Sequence, residues 1–160
     1  MIRRPPRSTL SSSSAASDVY KRQYEYPDEN IIFDAYMIEE KDLKEGQPRL
    51  LATDNIVVVP VNKVVKVLIT ANDVLHAWAL PAFGVKRDAM PGRVNETWFK
   101  AEKVGTYYGQ CSELCGIKHA FMPIEVKVVS EEDYQIWLSE AKIKFAKDEN
   151  LINKKLVASK

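Results

Sequence analysis

The chain has 160 residues, a hydrophobic fraction of 46% and a formal net charge of +1. That length suits one ordinary domain, and the apolar content is sufficient for a buried core, so a wholly disordered chain is excluded. The longest apolar runs, IVVVPV and VVKVLIT, are far shorter than the roughly 20 residues that cross a bilayer. The sequence as given therefore predicts a soluble globular protein.

Residues 1–23 (MIRRPPRSTLSSSSAASDVYKRQ) are rich in Arg, Pro and Ser and show no hydrophobic periodicity. This composition predicts disorder, and the apolar stretch of a secretory signal is missing. The segment resembles translated linker or adaptor sequence, so we interpret it as foreign to the domain. It carries five of the 23 basic residues and one of the 22 acidic ones. The remainder is mildly acidic, which argues against nucleic acid and permits a basic protein partner.

From residue 31 onwards, short runs rich in Val, Ile, Tyr and Trp alternate with gaps that carry Gly, Pro, Asn or Asp. Such runs are typical of β-strands. They predict strands at 31–38, 50–52, 56–60, 63–70, 73–80, 94–101, 106–110 and 124–129. Because no predicted helices separate these strands, we expect an all-β sandwich or barrel.

One helix is predicted after the last strand. Residues 130–133 (SEED) resemble a capping box. Apolar residues then recur at helical spacing, namely Tyr134, Trp137, Leu138, Ala141 and Phe145. We expect this helix to pack across the sandwich and to end near residue 147, and residues 148–160 to form a charged, solvated tail.

The stretch QCSELCGIKHAFM (residues 110–122) holds both cysteines of the chain, one of its two histidines and a methionine. Thiolate, imidazole and thioether are the donors that copper prefers. A disulfide is the default for two cysteines in a secreted domain, but Cys111 and Cys115 would close a very small loop. The other histidine, His76, lies in a predicted strand. A mononuclear blue-copper site needs one thiolate, whereas two thiolates can bridge two coppers.

From Tyr24 to about Leu138 the chain resembles the copper-A domain of cytochrome c oxidase subunit 2, in its mitochondrial and alpha-proteobacterial form. The matching stretches are YEYPD, FDAYMI, RLLATDN, DVLHAWALPAFGVKRDAMPGRVN and YYGQCSELCGIKHAFMPIEV. The resemblance implies a cupredoxin-like Greek-key β-barrel over residues 24–147, with a C-terminal helix and a centre of two copper ions. The implied copper ligands are His76, Cys111, the main-chain carbonyl oxygen of Glu113, Cys115, His119 and Met122.

The resemblance also implies partners. The Glu113 carboxylate would help to hold a magnesium ion shared with subunit 1, and Glu25, Asp28 and Asp34 would help to dock basic cytochrome c. The chain would pass electrons from cytochrome c to haem in subunit 1 of a proton-translocating oxidoreductase, without oxygen chemistry of its own. It would lie among the other oxidase subunits, on the periplasmic face of the bacterial inner membrane or the intermembrane-space face of the mitochondrial one.

The given sequence departs from the family in two respects. It contains neither the two transmembrane helices nor the Trp-rich stretch that precede this domain in the family, so membrane contact would come only through those helices.

Three alternative functions also remain open. Nitrous oxide reductase carries the same copper centre but typically has Trp where Glu113 stands. A Cys-x3-Cys copper chaperone is a second alternative, although it expects a βαβ pattern and Pro at the position of Gly116. A disulfide-stapled sandwich that only binds a partner is a third.

Overall fold

The computed structural model describes residues 8–13, 21–72, 74–111 and 122–157, and the side chains of 21–72, 74–111 and 122–145. Its strands are β1 (Ser8–Ser13), β2 (Arg22–Tyr26), β3 (Ile31–Ala35), β4 (Val57–Pro60), β5 (Val64–Ile69), β6 (His76–Leu80), β7 (Val85–Ala89), β8 (Asn95–Lys100), β9 (Gly105–Gln110) and β10 (Pro123–Val129). Short 3-10 helices lie at Pro27–Glu29, Glu40–Asp42 and Pro81–Phe83, and the helix α1 spans Glu131–Val157.

The strands form two five-stranded sheets, in the orders β3-β2-β1-β5-β8 and β4-β10-β9-β6-β7. Neighbours are antiparallel except for the parallel pairs β1–β5 and β4–β10. Side chains alternate between the two faces of a strand, and the inward faces share one core that includes Phe33, Val67, Trp78 and Val126. The predicted all-β sandwich is confirmed.

Helix α1 packs on β3 and β4, one edge strand from each sheet, and so covers the side on which the sandwich is open. Phe145 stacks on Phe33 with ring centroids 4.8 Å apart, and Trp137 lies 5.2 Å from the ring of Tyr26. The predicted apolar face is confirmed, because its members are buried apart from the partly buried Trp137. Burial of an apolar helix face, rather than intrinsic helix propensity, is the usual source of such stability.

The start of α1 carries the predicted cap. The Ser130 hydroxyl oxygen accepts a hydrogen bond from the backbone N–H of Asp133 at 3.1 Å, and the hydroxyl donates to the Asp133 carboxylate at 2.8 Å. This bond satisfies one of the backbone N–H groups that the first turn of a helix leaves open. The acidic residues of that turn, Glu131 to Asp133, also suit the positive end of the helix dipole.

The N-terminal segment differs from the sequence-based expectation. Strand β1 lies inside the segment predicted to be disordered, and it pairs with β2 and β5. Strand β2 begins at Arg22, two residues before the predicted start of the domain. The Arg22 side chain is buried and donates a hydrogen bond to the Ala77 carbonyl oxygen at 3.0 Å. The prediction of disorder is therefore wrong for residues 8–13 and 22–23. Strand β1 lies between β2 and β5, and backbone hydrogen bonding to these two neighbours does not require the hydrophobic pattern on which that prediction relied.

Three further differences concern two strands and the length of the helix. Residues 50–52 do not form a strand: 50 and 51 lie in a turn, and Leu50 has a φ of +66°, which an extended strand does not allow. The sequence did not predict strand β7, because its three central residues, Lys86, Arg87 and Asp88, are charged and the strand has no run of apolar residues. Charged residues are common on edge strands, and β7 is the edge of its sheet. Helix α1 continues to Val157, so the predicted frayed tail from residue 148 is wrong for the backbone up to that residue. Among the described residues, no helix combines the length and apolar character that crossing a membrane requires.

Candidate metal centre

Three of the six predicted copper ligands lie within the described residues, and all three stand at strand ends. His76 is the first residue of β6, Cys111 follows the end of β9, and Met122 precedes β10. Glu113, Cys115 and His119 lie outside the described residues. The ligand-bearing segment is therefore the connection between two antiparallel strands, and its two ends are held by the sheet.

Cys111 and Met122 are neighbours because β9 and β10 form one hairpin. Gln110 pairs with Pro123, so the residues that follow and precede them leave the sheet side by side. Their side chains pack together in a small buried cluster separate from the main core. The sheet register thus brings the thioether beside the thiol, and the loop conformation is not needed to explain this contact.

His76 reaches the same place from β6. This strand lies beside β9, with Ala79 opposite Gln110. The backbone N–H of Ala77 donates a hydrogen bond to the Cys111 sulfur at 3.4 Å. The exposed fractions of His76, Cys111 and Met122 are 0%, 5% and 3%. Buried Cys and Met are ordinary core residues, so the fully buried imidazole of His76 is the unusual member of the three.

The surroundings of these donors are dry and aromatic. Trp78 and Leu80, two and four residues along β6 from His76, are fully buried. The Trp78 ring stacks on Phe99 with centroids 6.1 Å apart. An imidazole, a thiol and a thioether in such a setting are the donor set that copper favours. Within the described ranges, no three His, Cys, Asp or Glu side chains gather into a metal cluster.

A buried carboxylate that sequence reasoning missed supports the same hairpin. Glu125, three residues after Met122, is 5% exposed, and its carboxylate accepts hydrogen bonds from the N–H and hydroxyl of Thr53 at 2.7 and 3.2 Å. Tyr108 is its cross-strand partner, and partial burial together with the nearby Glu125 charge raises the pKa of the Tyr108 phenol. Glu125 thereby ties the segment around Thr53 to the hairpin that carries the ligands. The sequence signal that could have indicated this buried carboxylate was a single acidic residue within the otherwise largely apolar strand PIEVKVV.

The predicted docking acids lie on the other sheet, in β2, β3 and the connection between them. Glu25 on β2 and Asp34 on β3 both point to the outer face of their sheet, by alternation with buried neighbours. Asp34 forms an ion pair with Lys21 and accepts a hydrogen bond from Gln23 at 3.3 Å. Asp28 is exposed in the 3-10 helix that connects these strands. The three acids therefore occupy one side of the domain, although the charge of Asp34 is already offset by a neighbour.

Comparisons with known proteins bear on this geometry. The family model described as cytochrome c oxidase subunit II, periplasmic domain, matches residues 13–129. Cytochrome c oxidase subunit 2 of Cereibacter sphaeroides is 53% identical; the match covers 74% of this chain and 45% of that protein. The chain thus spans about half the length of this curated relative.

Solved structures are similar as well. The crystal structure of the periplasmic domain of subunit II of cytochrome oxidase (CoxB) of Bradyrhizobium japonicum matches with a TM-score of 0.79 and 50% identity, over 91% of this chain and 99% of that one. A mixed disulfide intermediate between the thioredoxin-like TlpA and subunit II of cytochrome c oxidase matches with a TM-score of 0.73 and 49% identity, over 91% and 96% of the two chains. These likenesses confirm the predicted cupredoxin-like fold.

Proposed function

This chain belongs to the family of cytochrome c oxidase subunit II periplasmic domains, and from that membership we propose that it is the electron-transfer domain of a haem-copper terminal oxidase. The observation that carries the proposal is that His76, Cys111 and Met122 are all buried and stand at the ends of three adjacent strands, β6, β9 and β10. Family membership favours this function over the nitrous oxide reductase and copper chaperone alternatives. It also favours the periplasmic side of the membrane, or its mitochondrial equivalent.

Two copper ions would be held by His76, Cys111, the Glu113 carbonyl oxygen, Cys115, His119 and Met122, of which only the first, second and last are described. When bound, a binuclear copper centre supplies a one-electron acceptor and donor. The chain's own contribution is to fix the donor atoms at strand ends, so that they move little when charge changes. The Ala77 N–H orients the Cys111 sulfur at 3.4 Å, and hydrogen bonds of this kind tune metal–thiolate sites.

Water exclusion is the second contribution of the protein. His76 and Trp78 have no exposed surface, and the Trp78 ring is backed by Phe99. A low local dielectric strengthens charge interactions within a site and limits solvent reorganisation around it. We propose that Trp78 acts as a wall of the centre in addition to being a core residue.

The partners follow from the surface and from the family. We propose that cytochrome c docks on the side that carries Glu25 and Asp28, with a smaller contribution from Asp34 because Lys21 offsets its charge. Such docking should weaken as salt rises, since exposed charges are screened beyond about 8–10 Å at physiological ionic strength. The Glu113 carboxylate would hold magnesium at the contact with subunit 1.

Copper loading adds a second class of partner. The thioredoxin-like partner in the similar mixed disulfide structure suggests how the thiols here are kept reduced. We propose that a thioredoxin-like dithiol reduces a Cys111–Cys115 disulfide: its thiolate attacks one sulfur to form a mixed disulfide, and its second thiol then releases this chain with two thiols. Metal binding requires these thiolates, so reduction must precede loading.

The experiment is copper loading of the 160-residue chain under reducing conditions, followed by metal analysis, absorption and electron paramagnetic resonance spectra. We expect two coppers per chain and a signal from one electron shared by both. Cys111→Ser should abolish that signal and Met122→Leu should change it, whereas Met37→Leu, at a partly buried methionine outside the predicted ligand set, serves as the matched control. One copper or none in the wild type, with Cys111 and Cys115 in a disulfide despite reductant, would refute the proposal.

A further inference from the structure

Strand β6 approaches β9 closely at one point. It forms five residue pairs with β7 on its other side, but on the β9 side the described pairing is Ala79 with Gln110. Next to that pair is Gly109. A Cβ atom built on Gly109 would lie 1.9 Å from the Ala79 carbonyl oxygen, 3.0 Å from its carbonyl carbon and 3.1 Å from Cδ1 of Leu80. The first distance is far below any contact that a carbon atom tolerates.

The obstacle is a backbone carbonyl and not a flexible side chain, so it cannot rotate away. Any side chain at position 109 would push β6 from β9 by more than about 1 Å before the carbon–oxygen contact reached its usual 3.3 Å. Gly109 is also absent from the glycines with positive φ. It is therefore required for space and not for backbone conformation. Gly105, at the other end of β9, would meet only the Tyr107 ring at 3.8 Å.

The site lies immediately beyond this contact. Two residues before Ala79, the Ala77 N–H donates to the Cys111 sulfur at 3.4 Å, and His76 is the next residue. A hydrogen bond of that length does not survive a further 1 Å of separation. Functional constellations tolerate errors of only about 0.5 Å. The distance between β6 and β9 at Gly109 therefore controls the contact of the Ala77 N–H, next to His76, with the Cys111 sulfur.

We propose that Gly109 is a positioning residue for the metal centre: its missing side chain lets β6 come close enough to β9 to place His76 and the Ala77 N–H against Cys111. The inference rests on the proposed function for its consequence in copper binding, but not for its consequence in the metal-free chain. It assigns this glycine to the juxtaposition of strands, and not to a tight turn of the ligand loop.

The test compares Gly109→Ala with Val128→Ala in the full chain. Val128 is a fully buried residue paired with Gly105 at the far end of the same hairpin, so its truncation destabilises the fold without touching the β6–β9 contact. In the metal-free proteins we expect hydrogen exchange of the Ala77 amide to accelerate at least 10-fold more in Gly109→Ala than in Val128→Ala, at equal distance below each melting temperature. Copper affinity should fall about 10- to 100-fold in Gly109→Ala, with an altered paramagnetic resonance spectrum, and stay within about 3-fold of wild type in Val128→Ala.

Equal Ala77 exchange and an unchanged copper spectrum in Gly109→Ala would overturn the inference. If the wild-type chain takes up no copper, the proposed function fails, whereas Ala77 exchange still decides the role of Gly109. If Gly109→Ala does not fold, the wild-type nuclear magnetic resonance spectrum decides it. A strong Overhauser contact between a Gly109 α-proton and a Leu80 methyl group would support the close approach, and its absence would refute it.

Discussion

The Tyr26 hydroxyl forms hydrogen bonds with the backbone of the edge strand β4, and its removal should lower the stability of the fold. It donates to the Val58 carbonyl oxygen at 2.9 Å and accepts from the Val58 N–H at 3.0 Å, so one hydroxyl satisfies both backbone groups. Val58 lies on β4, the edge strand of its sheet, and is buried. In a Tyr26→Phe variant, the ring keeps its contacts with Phe33 and Trp137, while both backbone groups lose their partner.

The expected cost follows from those two groups. A buried polar group left unsatisfied costs about 1–3 kcal/mol, so with partial relaxation we expect Tyr26→Phe to lower the free energy of unfolding by about 2–4 kcal/mol. For a chain of this size that corresponds to a fall of roughly 4–16 °C in melting temperature. Tyr107→Phe is the matched control, because its hydroxyl donates to the Lys103 carbonyl oxygen at 2.9 Å in an exposed setting. It should cost less than about 1 kcal/mol.

High pH provides a second measurement on the same variant. Burial, reinforced by nearby Tyr134, raises the pKa of Tyr26 well above its ordinary value of 10.0, although the Val58 hydrogen bond opposes this. Ionisation above pH 10 then favours the unfolded chain, so this contribution to stability is complete below pH 10 and is lost as pH rises towards the folded-state pKa. The stability gap between wild type and Tyr26→Phe should narrow in that range. The assay is urea unfolding at pH 7 and at pH 10–11; equal costs for both Tyr→Phe variants at pH 7 would refute the reasoning.

Three further changes test the helix. Ser130→Ala should lower the free energy of unfolding by about 1 kcal/mol because it removes the N-cap; no change in thermal unfolding would show that the cap is immaterial. Phe145→Ala removes the stacked ring on Phe33 and should cost about 3 kcal/mol, and a loss below 1 kcal/mol in urea would contradict docking of α1 there. Lys142→Ala breaks an ion pair with Glu29 that is largely exposed, so its effect should stay below about 0.5 kcal/mol, and a larger loss at high salt would contradict that assignment.

Short runs rich in β-branched residues were the part of the fold that the sequence could predict. Val57–Pro60, a short apolar run that is buried throughout, and Val64–Ile69, whose burial alternates, correspond to real strands, because short runs rich in β-branched residues are typical of strands. Pairing in the sheets involves residues far apart in the chain, and no local pattern encodes it. For this reason the sequence predicted neither β1, which pairs with the distant β5, nor the charged strand β7.

The donor types of the site could also be predicted, since Cys, His and Met in one short segment indicate a soft metal. Their arrangement could not. That the first residue of β6 meets the end of β9 depends on a single cross-strand pair between Ala79 and Gln110. For Gly109 the structure gives a reason that no sequence pattern shows, the close passage of a neighbouring backbone. The buried Glu125 carried no motif at all.

The division of the donors between two hairpins has a consequence for the order of folding. The β6–β7 and β9–β10 hairpins are each local in sequence, but the contact from Ala77 to Cys111 spans 34 residues and bears a larger loop-closure entropy. The two hairpins should therefore form before they dock. Pulse-labelled hydrogen exchange should show β10 amides protected before the Ala77 amide, and simultaneous protection would contradict this order. Because the complete donor set exists only after docking, a metal bound by all of it would stabilise the last step of folding more than any earlier one.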